Sequence, residues 1–332
     1  MFKYLIIINP LGFMYGSAGA FLTPENLVGC SGAKFPPEAA TLSGLMFSVN
    51  KTTQQFTQAD LNQNLHIAGP FWAKNAEKQN FFIPIPWSKI IAKKQADEWQ
   101  FQNNKWQLEH QTEKLRPEYT WQTINSWGIP ATTLQKNKQS ISENPWKFVP
   151  FLHPKIKQSE RSVENADGLF LENSVQMSDD TCLVYLSTHP LENGWYRFGG
   201  ENHIVEIECQ EIKNKKFLEL LNQPIKNTFA LITPAIWGSN RLSYRHPQHE
   251  NFPKTVEMLT DKPVAYRYRA KGNLGRGRYA VPAGSVYILE TPLNQPWSNW
   301  DETWFPKEGY SLKRLGSGLC LPLEIKGISA NV

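Results

Sequence analysis

Between Lys262 and Leu289 the chain carries Lys262, Arg267, Arg269, Lys271, Arg276 and Arg278, with no Asp or Glu among them. Those six positive charges exceed the formal net charge of the whole 332-residue chain, +5. Uncompensated guanidinium groups are well suited to gripping phosphate oxygens through paired N–H donors. The glycines between them, in Gly272-Asn-Leu-Gly-Arg-Gly-Arg278, let a backbone pass close to a ligand and offer its N–H groups. In Tyr266-Arg-Tyr-Arg269, strand alternation sets both tyrosines on one face and both arginines on the other. A sheet edge kept soluble by its charges shares this composition. Such an edge ordinarily mixes lysine with glutamate, whereas here arginine alternates with glycine. The expected ligand is a polyanion.

A second stretch has related chemistry. In Lys313-Arg314-Leu-Gly316-Ser317-Gly318, two glycines flank a hydroxyl just after two cations and just before an apolar run. Such a loop can offer amides and a hydroxyl to a phosphate, and it can equally be a plain tight turn. It is not a Walker loop, which needs Lys-Ser or Lys-Thr after its second glycine. Nor is Gly272-x-x-Gly275-x-Gly277 a dinucleotide fingerprint. Arg197-Phe-Gly-Gly-Glu and Arg241-Leu-Ser-Tyr-Arg245 each place arginine near an aromatic, which suits a base stacked beside a phosphate contact.

Catalytic and metal-binding patterns are weak. His246 and His249 form an H-x-x-H with Pro247 inside it and no zincin glutamate, so a surface loop is expected there. Asp179-Asp180 and Asp301-Glu302 lack a second carboxylate cluster and read as turn residues. The first fifty residues hold no histidine for general acid–base work. No catalytic residue, metal or cofactor is expected. Trp297, Trp300 and Trp304 are candidates to stack on sugar or base, or to anchor a partner.

The elements that must position these residues read as α+β. Strands are expected over 2–8, 181–186, 203–209, 229–232, 264–269, 285–289 and 319–325. Helices are expected from the Pro36-Pro37-Glu38 start and over 217–221. A hairpin is expected about Asn103-Asn104. Strands and short helices interleave without long crossovers, as in a compact sandwich of ferredoxin-like, RNA-recognition type. Residues 54–158 are rich in Lys, Gln and Asn and hold seven of the twelve tryptophans, so they read as an insertion with a small aromatic core. The expected division is a first domain over 1–175 containing that insertion and a second over 176–332. Four scattered cysteines suggest reduced thiols rather than a disulfide framework or zinc site. The apolar run after Lys3 is cut by Asn9-Pro10, short of a secretory core, and nothing approaches a membrane span. A cytoplasmic protein is expected.

Phe21-Leu-Thr-Pro-Glu-Asn-Leu-Val-Gly, Gly32-Ala-Lys-Phe-Pro-Pro and Ala39-Ala-Thr-Leu-Ser-Gly-Leu resemble the N-terminal signature of the RAMP proteins. Joined with Arg197-Phe-Gly-Gly-Glu, Ala265-Tyr-Arg, Arg278-Tyr-Ala-Val-Pro-Ala-Gly-Ser and Arg314-Leu-Gly-Ser-Gly-Leu, the set is similar to the family of subunit three of the Cmr complex, the type III-B CRISPR effector. That resemblance implies two ferredoxin-like domains packed face to face. It implies a non-catalytic subunit in antiviral defence that holds the 5′ handle of the guide RNA, with target RNA nearby. It implies contact with the large polymerase-palm subunit on one side and the first backbone RAMP subunit on the other. Carried over by motif, Lys313, Arg314, Gly316, Ser317 and Gly318 meet the handle. Arg267, Arg269, Arg276 and Arg278, with Lys271, line the same groove. Lys34 and Ser43 lie at the helix start near RNA. The insertion matches no family motif and is either a thumb toward the guide–target duplex or a docking surface. Two other readings stand beside this one: a RAMP endoribonuclease that processes precursor guide RNA, and a carbohydrate-binding protein using the tryptophan-rich block.

Overall fold

In the computed structural model, residues 2–15, 34–110, 115–154, 169–199, 202–239, 242–267, 269–270 and 273–328 are described. An eight-stranded antiparallel sheet runs through the middle. Its strand order is Gly194–Phe198, His203–Glu211, Tyr4–Pro10, Thr181–Ser187, Ile67–Lys74, Phe82–Pro84, Trp121–Thr123 and Ile141–Ser142. The first strand is central because it is apolar on both faces. Leu5, Ile6, Ile7 and Ile8 are all fully buried, which is why it reads as an unbroken run rather than an alternation. Ile6 and Ile8 join the core under the long helix Ala39–Thr53, while Leu5 and Ile7 face the C-terminal half.

The helix starts after Pro36-Pro37, as expected. Its buried residues Ala39, Leu42, Met46 and Asn50 follow helical spacing and form the stripe laid on the sheet. It stops because the Asn50 side chain takes over the following backbone. Its amide donates to the Phe56 carbonyl and accepts from the Phe56 N–H, both at 2.9 Å, while Gln54 turns left-handed at φ 49°.

The block 54–158 is not an appendage. Ile67–Lys74 lies inside the main sheet, registered against Thr181–Ser187, and three short strands of the block continue the sheet outward. Gly69-Pro70 falls where that pairing shifts register between Val184 and Leu186. Proline inside a paired strand belongs at such irregularities and disguises the strand in the sequence. What leaves the sheet is a three-stranded unit, Lys89–Ile91, Ala96–Gln102 and Lys105–Leu108, with the helix Ala131–Lys136. The expected hairpin is there, with Asn103 and Asn104 at φ 51° and 59°. Positive φ at both central residues is the twist-matched two-residue turn.

The small core of this unit is aliphatic rather than aromatic: Ile85, Ile91, Ala131, Leu134 and Ile141. Several of the block's tryptophans instead stitch it to the rest of the chain. Trp87 Nε1 donates to the Ala283 carbonyl, and Trp127 Nε1 donates to the Pro322 carbonyl at 2.8 Å.

The C-terminal half builds a four-stranded sheet in the order Thr255–Leu259, Val286–Leu289, Thr228–Leu231, Cys320–Pro322. Phe229 stacks on Tyr287 at 4.7 Å, and Trp237, Trp300, Trp304, Phe305 and Phe252 close around them. Trp297, Trp300 and Trp304 are 3%, 2% and 5% exposed. They form this core and present no surface to a sugar, a base or a partner. Cys182, Cys209 and Cys320 are free thiols, and burial pushes Cys182 up to about 12; Cys30 lies outside the described residues. Among the described residues no helix is long and apolar enough to cross a membrane.

Candidate nucleic-acid interface

The cation-rich stretch folds as a long hairpin. Val264–Tyr266 pairs with Arg278–Ala280, and farther out Arg269–Ala270 pairs with Asn273–Leu274. At its base the inward residues alternate as strand geometry requires. Tyr266, Arg278 and Ala280 are 4%, 4% and 0% exposed, while Tyr279 is 55% exposed. Lys34 clamps this base to the start of the long helix. Its Nζ sits 5.3 Å above the Tyr266 ring, donates to the Ala265 carbonyl at 3.3 Å and pairs with Glu38 at 2.6 Å.

Arg278 departs from its expected role. Its Nε donates to Glu308 at 2.8 Å and its Nη1 donates to the Ser239 carbonyl at 2.7 Å, with the side chain 3% exposed. A guanidinium held between a carboxylate and a carbonyl in the interior is a clamp, with no face left for a phosphate. The Ser239 contact ties the arm to a second hairpin, Trp237–Gly238 with Ser243–Tyr244. Ser243 Oγ accepts from Tyr279 N at 3.1 Å and adds a second tie. Arg245, just beyond this hairpin, is exposed, and the Tyr287 hydroxyl donates to its carbonyl at 2.6 Å. Arg267 is half-buried and braces the arm by donating from Nε to the Gly275 carbonyl at 2.7 Å. Arg276 is exposed. The backbone of Arg269 is in the outer pairing; its side chain, like Arg241 and Lys271, lies outside the described residues.

The glycine loop is a different object. Ser311 caps a short 3-10 turn, Leu312–Leu315, and Gly316 ends it at φ 70°. All three loop amides are engaged inside the protein. Gly316 N donates to the Lys313 carbonyl at 2.9 Å, Ser317 N to the Leu312 carbonyl at 3.3 Å, and Gly318 N to the Pro234 carbonyl at 3.0 Å. Ser317 is 3% exposed, and its Oγ accepts from Ile236 N at 2.8 Å.

Both glycines are required by crowding. A Cβ on Gly316 would lie 2.5 Å from the Ala68 Cβ, and one on Gly318 would lie 2.6 Å from the Trp237 ring. The loop is therefore a buried seam where the C-terminal half meets the Ile67–Lys74 strand.

Its two cations belong to the same seam. Lys313 is 5% exposed, lies over the Trp297 ring at 5.5 Å and donates to the Ser298 and Trp300 carbonyls. Burial draws its pKa down, against the nearby Glu302 and Asp301. Arg314 donates from Nη2 to the Gln63 carbonyl at 2.6 Å and lies near Glu302. Neither an amide cradle nor an open ammonium is presented, so the expectation of a phosphate loop at Lys313, Arg314, Gly316, Ser317 and Gly318 gives way to a packing role.

Two further expected residues stand apart. Ser43 is 6% exposed on the sheet side of its helix, which excludes it from direct contact with a ligand. Arg197 is exposed on the outermost strand of the large sheet. The bland readings of the other polar motifs carry over. His246 Nδ1 meets the Pro247 carbonyl at 3.2 Å, and His249 Nδ1 accepts from Asn251 N. Asp301 caps a 3-10 turn through Thr303 N at 2.8 Å, which holds its carboxyl below the usual range. Among the described residues no three His, Cys, Asp or Glu side chains converge as a metal site. Tyr279 and Leu242, 55% and 57% exposed beside the arm, were not expected. Tyr279 pairs directly with Ala265, the neighbour of Tyr266, so the strand alternation that turns Tyr266 inward turns Tyr279 outward.

A family model described as "CRISPR-associated protein (Cas_Cmr3)" matches residues 16–325. No curated protein matches the chain. Among solved structures, a chain of the Type III-B Cmr-beta bound to cognate target RNA is 15% identical, with a TM-score of 0.50; the match covers 86% of this chain and 86% of that one. A chain of the same assembly with cognate target RNA and AMPPnP is 12% identical, with the same coverage and a TM-score of 0.49. A chain of the Csm3-Csm4 subcomplex in the type III-A CRISPR-Cas interference complex is 10% identical over 88% of this chain and 97% of that one, with a TM-score of 0.43.

Proposed function

The chain belongs to the Cas_Cmr3 family of CRISPR-associated proteins, and on that premise we propose that it is a non-catalytic, RNA-holding subunit of a type III-B effector complex. In this reading the arm at 264–280 is the face that meets the 5′ handle of the guide RNA. The observation that carries it is the separation of the arm's cations into two kinds. Arg278 and Lys34 anchor the base through Glu308, Ser239, Ala265 and Glu38. Arg276 on the arm and Arg245 beside it are exposed at the surface. A rigid base with exposed guanidiniums is what a phosphate-tracking surface needs, because the donors are placed before the ligand arrives.

Two features support the wider reading. In the large sheet the strands His203–Glu211, Tyr4–Pro10, Thr181–Ser187 and Ile67–Lys74 stand in the order 4-1-3-2, with a helix after the first. That is the ferredoxin-like order, with the second helix replaced by the strand Gly194–Phe198. Exposed apolar side chains also gather on the three-stranded sheet of Trp146–Pro154, Leu169–Met177 and Met14–Tyr15. Phe148, Phe151 and Leu152 are 43%, 43% and 55% exposed there, and Phe13 lies 6.3 Å from Phe151. Such a surface suits a subunit that buries it against a neighbour. The polymerase-palm and backbone RAMP subunits are the partners the family reading supplies.

The test is RNA binding as a function of salt. Each phosphate contact contributes a slope of roughly −0.7 on a log–log plot for a single strand. Replacing Arg245 and Arg276 with alanine should flatten the slope by about 1.4 and leave the unfolding midpoint in urea unchanged. An unchanged slope removes the arm from the RNA face. Metal-independent, site-specific cleavage of repeat RNA by the purified chain overturns the non-catalytic reading instead.

A further inference from the structure

We infer that the outer edge of the strand Gly194–Phe198 takes up an extended segment of a partner protein as an added antiparallel strand, with an acidic side chain beside Arg197 and an apolar one beside Trp195. This rests on the chain being a subunit of an effector complex and names where on its sheet a protein neighbour attaches.

The strand ends the order of the eight-stranded sheet, and among the described residues no strand pairs with its outer side. The direction of its free backbone groups follows from one bond. In an antiparallel ladder a residue turns its N–H and C=O to the same side, and the side alternates along the strand. The Ile204 carbonyl accepts from Leu11 N at 3.3 Å, so Ile204 faces the strand Tyr4–Pro10 and not Arg197, its partner in register. Arg197 therefore turns its own N–H and C=O to the open edge, as does Trp195 two residues earlier. Pro10 fits the same alternation. It lies in register with Val205, which faces Tyr196, so no N–H is needed from it there.

The same two residues stand out by their side chains. Phe198 is fully buried and Tyr196 half-buried, so alternation turns Trp195 and Arg197 to the opposite face. Trp195 is 76% exposed, and Ile204 and Leu11, joined by that bond, are 47% and 53% exposed. Arg197 is exposed, and its guanidinium has no hydrogen bond or ion pair among the described residues. Sheet edges are ordinarily guarded by lysine, proline or a bulge. The strand Gly-Trp-Tyr-Arg-Phe has none of the three and exposes a tryptophan instead.

Backbone and charge together choose the occupant. The outward N–H and C=O groups of Trp195 and Arg197 are met in full by another extended main chain. Tryptophan is enriched where proteins meet. Trp195 lies opposite Glu206, which is exposed, and Glu192 and Glu211 are exposed toward the base of the same hairpin. Carboxylates outnumber the arginine here and disfavour a nucleic-acid backbone. A carboxylate on the added strand gives Arg197 the cross-strand pair that Ile204 does not supply.

Residue-resolved amide hydrogen exchange tests this on the full-length chain, alone and co-expressed with the other subunits of its effector complex. In the free chain the Trp195 and Arg197 amides should exchange quickly and the Tyr196 amide between them slowly. In the assembled complex the two fast amides should slow by about tenfold or more. The parent should out-compete Arg197→Glu for incorporation by about tenfold. Arg197→Lys should compete evenly, and both variants should keep the parent's unfolding midpoint in urea.

Assembly in which both amides stay fast overturns the added strand and leaves the proposed function standing. Slowing caused by single-stranded RNA added to the free chain also overturns it and assigns the edge to a nucleic acid. Slowing that grows with the concentration of the free chain overturns it in favour of a second copy. Even competition by Arg197→Glu overturns the acidic partner. A chain that enters no complex removes the proposed function and this inference with it.

Discussion

The arm at 264–280 and the loop at 311–318 draw on the same residue types and do opposite things with them. Both set glycines beside cations, and both read as places for a phosphate. In the arm Arg276, between the two strand pairings, is exposed, as is Arg245 beside them. In the loop every amide is bonded within the protein, and Lys313 reaches inward to the Ser298 and Trp300 carbonyls. Glycine serves the loop by omission: there is no room for a Cβ against Ala68 and Trp237. A glycine–cation motif thus has two physical meanings, close approach to a ligand or close approach to the protein itself. The contrast teaches that burial of the amides, rather than the presence of glycine, separates them.

The contrast can be broken at several points. Gly318→Ala should have the largest effect, because it combines a left-handed φ of 66° with a contact of 2.6 Å to Trp237. Backbone strain and overpacking together should cost about 4 kcal/mol, read as a drop in the urea midpoint. A loss below about 1 kcal/mol would mean that the seam is open enough for the loop to receive a ligand.

Arg278→Ala comes next. It leaves Glu308, 14% exposed, without its partner, and stranding one member of a buried pair costs about 3 kcal/mol. Arg276→Ala, at an exposed residue two positions earlier in the chain, should leave the midpoint within about 0.5 kcal/mol. If the two variants destabilise equally, the division between anchor and contact cations within the arm is wrong.

The smallest effect is alkaline. Burial lowers the pKa of Lys313 in the folded chain below the ordinary lysine value. Between the folded and unfolded pKa values the unfolded chain binds more protons, so stability rises with pH across that window. The gain is complete above the unfolded value and absent below the folded one. Lys313→Met should remove this component from the pH dependence of the urea midpoint. Arg245→Ala, at an exposed residue on the arm side, should leave it in place.

Local pattern was enough for many of the elements. The apolar run at the N-terminus, the Pro-Pro-Glu helix start, the Asn-Asn hairpin and the strands around Thr181, His203, Phe229 and Val286 are legible because each satisfies a short-range rule. The strand Ile67–Lys74 was not legible, since its glycine and proline mark a register shift that exists only against its partner. The tryptophans misled for a related reason. Trp297, Trp300 and Trp304 can equally line a groove or fill a core, and their neighbours Phe229, Trp237 and Phe252 arrive from distant parts of the chain.

By itself, then, the sequence determined the charge. Six cations without a counter-ion within 262–289 are a property of composition, and no fold can put an acid into that segment. It also determined which family the motifs resemble. The tertiary structure alone decided which of those cations meet water. Glu308 lies 30 residues from Arg278, and the Trp300 carbonyl 13 from Lys313. A charge is buried with a partner or kept at the surface by what folds against it, and that is a long-range property that spacing does not encode.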